Sequence, residues 1–250
     1  MTKRERSPAT RRLVFLALLA STAILAGCQS RDPSANPTDA EWRTILGDAA
    51  IIDGAQPVPP LTPLLQSRPR LVTWKKKTAA DEFKAGAASF PRAVWATVDG
   101  ELQAFCRRYV RETKPDSVAL RRRIEKLLGL RNGDGEDRVI VTVEVAAADI
   151  YRPCLDPTVT TTACIAPKDD AEMRRLITNN PEAVQLLLSQ MIGSYVTHTG
   201  YPFTRRGYTY DWDRTARADH FGLSEYEIRP NAEIEIVAGP KTLDEYCAAE

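Results

Sequence analysis

The stretch from Tyr195 to Tyr226 holds both histidines of this 250-residue chain and eight of its eighteen Phe, Tyr and Trp residues. His198 or His220 beside Asp211 or Asp213 has the make-up of a general base with an orienting carboxylate, and Ser224 is a hydroxyl that such a base could activate. The residues around it, Gly222-Leu223-Ser224-Glu225-Tyr226, lack the second glycine of a Gly-x-Ser-x-Gly elbow. The same segment also has the chemistry of a binding site. Tyr201, Arg205, Tyr208, Tyr210, Asp211 and Trp212 suit a sugar-containing ligand, with ring faces against C–H patches and Asp and Arg on hydroxyls. The competing account is structural: a long irregular segment needs large side chains beneath it, and tyrosine hydroxyls then bond local backbone. No Cys-x-x-Cys or His-x-x-x-His spacing occurs, so neither a metal site nor another cofactor is expected.

The elements that must position these residues follow from periodicity. A helix starts at Thr38 with a Thr-x-x-Glu capping box to Glu41 and ends near Gly47. Pro57 to Pro63 is extended, and strands are expected at Arg70 to Trp74 and Ala93 to Val98. An amphipathic helix over Glu101 to Glu112, capped by Asp99, places Leu102, Phe105, Cys106, Tyr109 and Val110 on one face. A second, Asp116 to Leu128, buries Val118, Leu120, Ile124, Leu127 and Leu128 and stops at Gly129. On it Arg121, Arg122 and Arg123, followed by Glu125 and Lys126, read as a solvated face instead of a phosphate site. Arg131 to Glu136 is a Gly-rich turn, since the chain after it enters the strand Val139 to Val145 and supplies no further calcium ligands. Helices are expected over Lys168 to Thr178 and Pro181 to Tyr195. The latter is capped by Asn180 and reads as a core helix through Val184, Leu187, Leu188, Met191, Ile192 and Tyr195. Ser224 to Ile228 and Glu233 to Val237 alternate around Arg229-Pro230-Asn231-Ala232 as a hairpin would.

The N-terminus has a different character. Lys3, Arg4, Arg6, Arg11 and Arg12 precede an apolar run from Leu13 to Ala26 that is too short to span a bilayer, which takes roughly 20 residues. Leu25-Ala26-Gly27-Cys28 resembles the lipobox of bacterial lipoproteins. The resemblance implies a signal peptide over 1–27, diacylglyceryl attachment and acylation at Cys28, and, with Gln29 in place of Asp, sorting to the outer membrane facing the periplasm. Acyl chains at ~0.8 kcal/mol per buried methylene would make the membrane its partner. Residues 28–37 form a polar tether, and 38–250 a single periplasmic domain.

Removing the leader leaves 29 basic and 32 acidic residues, which argues against a nucleic-acid partner. It also leaves Cys106, Cys154, Cys164 and Cys247, an even number in an oxidising space. The expected pairs are Cys154–Cys164, closing a Pro- and Thr-rich loop, and Cys106–Cys247, pinning the end of the chain to a helix.

Two further resemblances concern function. Glu225-Tyr226-Glu227-Ile228-Arg229-Pro230 resembles the Glu-x-Glu segment of ADP-ribosyltransferases, which would give Glu227 the NAD ribose; the resemblance covers about six residues, and the family's Arg and Ser-Thr-Ser strands have no counterpart upstream. The blocks Glu101 to Cys106, Tyr151 to Pro157 and Gly200 to Trp212 are similar to an uncharacterised proteobacterial protein family, which implies one domain with structural cysteines and no stated activity. The expectation is an α+β, disulfide-stapled domain with amphipathic helices on a small, mainly antiparallel sheet. It is a lipid-anchored envelope protein with a non-catalytic role, binding an envelope protein or glycan; an envelope hydrolase is the alternative.

Overall fold

A computed structural model describes residues 35–51, 58–77, 83–164, 167–213, 215 and 220–248. The apolar leader, Cys28 and most of the tether lie outside the described residues. In chain order the elements are α1 (Asp39–Ile51), β1 (Arg70–Lys76), β2 (Gly86–Ser89), β3 (Val94–Val98), α2 (Asp99–Thr113), α3 (Ser117–Leu127) and β4 (Arg138–Val145). They continue with β5 (Ile150–Tyr151), α4 (Asp170–Asn179), α5 (Pro181–Met191), β6 (Tyr208–Tyr210), β7 (Phe221–Ile228), β8 (Glu233–Lys241) and α6 (Leu243–Cys247). The fold is α+β, and every strand pairing is antiparallel. The sheet runs β2-β8-β4-β1-β3-β7-β5, with β6 also on β7.

This order overturns the expected hairpin. β7 pairs with β3, and β8 inserts between β2 and β4. Period-2 alternation fixes which face a side chain takes and says nothing about which strand lies alongside. Residues 229–232 instead make a crossover, with Arg229 N–H on the Asp149 carbonyl and Asn231 N–H on that of Phe90. β7 and β8 stand four strand spacings apart, about 19 Å in a flat sheet, and the five peptide steps from Ile228 to Glu233 reach about 18 Å at full extension. The sheet must therefore curl. Inside the curl lie Leu71, Val94, Val141, Val143, Tyr226, Ile228, Ile234 and Ile236. The outer face carries α2, α3 and α6 over Val72, Trp74, Ile140 and Leu223.

Both expected disulfides are present. Cys106–Cys247 ties α2 to α6 and Cys154–Cys164 closes the loop after β5, with Cα atoms 5.3 and 6.1 Å apart. The Thr38–Glu41 capping box forms, and α1 continues through Gly47 to Ile51. Asp99 opens α2 instead of capping it and accepts from the Tyr246 hydroxyl. Asp116 caps α3 through the Ala119 N–H, and Gly129 follows it at φ +69°. Three readings of helical faces are corrected. Val118 is exposed. Arg123 and Glu125 are buried where a solvated face was expected, because a buried Asp211 and the N–H groups of Gly133 and Gly135 receive them. α5 is not a core helix: Leu188 and Ile192 are more than half exposed. It rests on the sheet edge through Glu182, which meets Tyr151 and Arg229, and Asn180 bonds back to Leu176 instead of capping it.

Candidate functional site

The residues of the aromatic segment divide into structural and accessible ones. Tyr208 packs edge-on against Phe221, and Tyr210 stacks on His220 and joins the α1 side chains Trp42, Ile45 and Leu46. Trp212 donates to the Leu130 carbonyl and meets Trp42 edge to face. Asp211, with no exposure, accepts from both terminal nitrogens of Arg123, while Asp213 lies 3.8 Å from Arg123 and 3.9 Å from Lys126. Arg205 donates to the Ala50 carbonyl over the Tyr195 ring. The ring faces drawn for a sugar are thus largely spent on packing. Of the six binding candidates, Tyr201 lines a cavity.

The histidine–carboxylate constellation does not assemble. His198 is exposed at φ +55° with no partner among the described residues. His220 places Nδ1 2.7 Å from the backbone carbonyl of Asp211, whose carboxylate belongs to Arg123. The Ser224 hydroxyl donates to Glu101 and accepts from the Thr62 N–H, tying β7 to α2 and to the loop before β1.

The cavity lies where the sheet opens. β1 pairs with β4 along seven positions but with β3 at two, Leu71↔Val98 and Val72↔Thr97. Beyond them the strands diverge, bridged by the Thr73 hydroxyl on the Trp95 carbonyl. Val72 to Lys75 and Ala93 to Thr97 flank a space of about 260 Å³, closed by Leu102, Leu128 and Leu130 and by Tyr201, Pro202 and Phe203. That approaches the ~300–1,000 Å³ of small-molecule sites, and the mostly apolar lining is typical of them.

The Tyr201–Phe203 wall is held by the π-helical turn Ile192–Val196 that ends α5. Ser194 Oγ donates to the Tyr201 carbonyl, the Tyr195 hydroxyl donates to that of Phe203, and the Tyr195 and Phe203 rings stack. Gly200 is required there, since a Cβ would stand 2.9 Å from Ser194 Oγ and 3.0 Å from the Gly193 carbonyl carbon. Phe203 meets Trp95 edge to face.

Three polar groups of the cavity lack partners. Thr97 Oγ1 and Trp74 Nε1 are buried without a hydrogen bond, although nearly all buried polar groups in proteins have one. The third is Glu225, opposite Thr97 in the β3–β7 ladder. Its neighbour on the same face is Glu227, opposite Trp95 and 3% exposed. Burial pushes the Glu225 carboxyl up to about 8, with repulsion from Glu227 adding to it, and burial pushes Glu227 up to about 7. The alternation of Ser224 to Ile228 placed these two side chains on one face; nothing in the sequence said that β3 would bring Thr97 and Trp95 beside them. No group of three or more metal-ligating side chains occurs among the described residues. No protein-family model, curated protein or solved structure matches the chain.

Proposed function

We propose that this chain is a lipid-anchored cell-envelope protein that binds a small, largely apolar molecule in the cavity between β1 and β3, without catalysing its conversion. The lipobox-like Leu25-Ala26-Gly27-Cys28 supports the anchor, and the two disulfides fit an oxidising compartment. The observation that carries the binding reading is the set of unpartnered polar groups, Thr97 Oγ1, Trp74 Nε1 and the Glu225 carboxyl, in a mostly apolar cavity. A ligand that supplies partners for them recovers the penalty of leaving them unpaired, ~1–3 kcal/mol for each buried group.

Trp74 and Trp95 in the lining provide the readout. Titrating the full chain with a set of small alkyl and aryl compounds, neutral and charged, should change tryptophan fluorescence saturably and raise Tm. Ala93→Trp, which fills the lining, should abolish both responses. Absence of any response from the whole set, or responses that survive the filled cavity, would reject the binding reading. The anchor is tested separately: Cys28→Ala should release the protein from membranes, and the wild type should carry acyl-chain mass.

A further inference from the structure

The buried charges elsewhere in the fold are compensated. Asp211 has Arg123, Asp213 has Arg123 and Lys126, Glu125 has two backbone N–H groups with Arg121 and Arg122 near, and Arg152 is surrounded by carbonyls of Val159, Thr161 and Ala163. Glu227, buried in the sheet, and Glu225, half-buried where it lines the cavity, are the exception. Neither carboxyl has a hydrogen-bond donor or a cation as partner among the described residues, and the one charge that bears on Glu225 is Glu227, which repels it. The two cations in the cavity lining are committed elsewhere. Arg138 donates to the carbonyls of Asp134 and Trp74, and Lys75 sits 4.6 Å from the centre of the Phe90 ring.

Resting on the binding reading above, we infer that the ligand is an organic cation, an amine or quaternary ammonium whose charge lies against Glu225 and whose carbon frame lies on Trp95, Phe203 and Tyr201. An ammonium group against a carboxylate is the pairing that a charge drawn away from water requires, and aromatic faces attract the same charge through their quadrupoles. Thr97 Oγ1, opposite Glu225, offers a hydrogen bond to a polar atom of the ligand, and Trp74 Nε1 can serve only as a donor. A further consequence follows from burial. Burial favours the protonated form of the Glu225 carboxyl, so a cation that arrives there expels a proton: the carboxyl O–H breaks, the proton leaves to buffer, and the carboxylate pairs with the ligand.

The probes are benzylamine, phenyltrimethylammonium and, as a neutral match for the frame, benzyl alcohol. The full chain should bind both cations at least tenfold more tightly than benzyl alcohol. Calorimetry at pH 7 in two buffers of different ionisation enthalpy should show proton release with the cations and none with the alcohol. Glu225→Gln, nearly isosteric with the neutral acid, should lose the tenfold preference while still binding benzyl alcohol. Equal affinity for amine and alcohol, or a preference for the cations that survives in Glu225→Gln, overturns the cation assignment and leaves the cavity reading standing. Saturable binding of Zn²⁺ or Ca²⁺ alone that Glu225→Gln abolishes also overturns it. If none of the three probes binds, the alcohol included, the cavity reading fails with it.

Discussion

Arg123 closes on Asp211 with two parallel hydrogen bonds, Nη1 to Oδ1 at 3.1 Å and Nη2 to Oδ2 at 2.6 Å, where Asp211 has no exposure. The Phe105 ring covers the guanidinium at 4.7 Å, and the pair joins α3 to the segment after β6. Removing one partner strands the other charge in the fold. Asp211→Leu should therefore cost about 3–5 kcal/mol in denaturant unfolding, and Arg123→Met a similar amount. The double variant should lose clearly less than the sum of the two, and strict additivity would show that the pair is not coupled.

A second prediction concerns pH. Glu225 and Glu227 ionise near 8 and 7 in the folded protein and near 4.5 when unfolded. Between pH 4.5 and 8 the folded state holds protons that the unfolded state has released, so their contribution to stability is complete below pH 4.5 and is lost as pH rises to about 8. Asp213 acts in the opposite direction. Burial raises it, but Thr215, Lys126 and Arg123 together hold it below its ordinary value, so its contribution is lost in acid. Glu225→Gln should be more stable than the wild type at pH 9 and should shallow the decline between pH 5 and 8. Urea midpoints across that range check this, and an unchanged slope would contradict it.

Glycine substitutions should separate two environments. At Gly222 a Cβ would stand 2.0 Å from Thr209 Oγ1 and 2.8 Å from the Leu127 carbonyl oxygen, the contact by which the end of α3 reaches β7 through the Thr209 hydroxyl. Gly222→Ala should lower Tm strongly. Gly47 lies inside α1 with nothing within 4 Å of such a Cβ, so Gly47→Ala should raise stability by about 0.5–1 kcal/mol. A Gly222→Ala variant that melts with the wild type would show that the crowding is absorbed.

The disulfides rank by the loops they close. Cys106→Ser with Cys247→Ser opens a separation of 141 residues and should cost about 4–5 kcal/mol, and the matching change at Cys154 and Cys164, separated by 10, about 3 kcal/mol. Thermal unfolding under oxidising conditions gives the order, and a reversed order would mean that local packing outweighs chain entropy.

Much of the fold was legible because its signals are local. The capping box at Thr38, the Gly129 stop and the alternation of β7 each depend on residues a few positions apart. The Cys106–Cys247 pair was legible for a different reason, because four cysteines allow three pairings. What stayed hidden was decided over long distances. α5 has an apolar face wide enough for a core, yet Glu182 fastens it to the sheet edge through Tyr151 and Arg229. The aromatic segment drew attention through composition, and Tyr208, Tyr210, Trp212 and Phe221, half of its rings, turned out to pack under α1 and at β7. Thr97, Trp74 and Trp95 gave no sign of a cavity, since a site formed where two strands part has no contiguous sequence to mark it.

The insertion of β8 between β2 and β4 bears on how the chain comes to be folded as it is made. Everything through β7 can emerge while β2 still has no neighbour and β4 offers one edge of Arg138 to Val145 unpaired, with buried valines at 139, 141, 143 and 145. A chain halted there presents an unpaired edge on an apolar strand, the kind that recruits other strands. Completion of the sheet therefore depends on the residues from Glu233 onward arriving promptly.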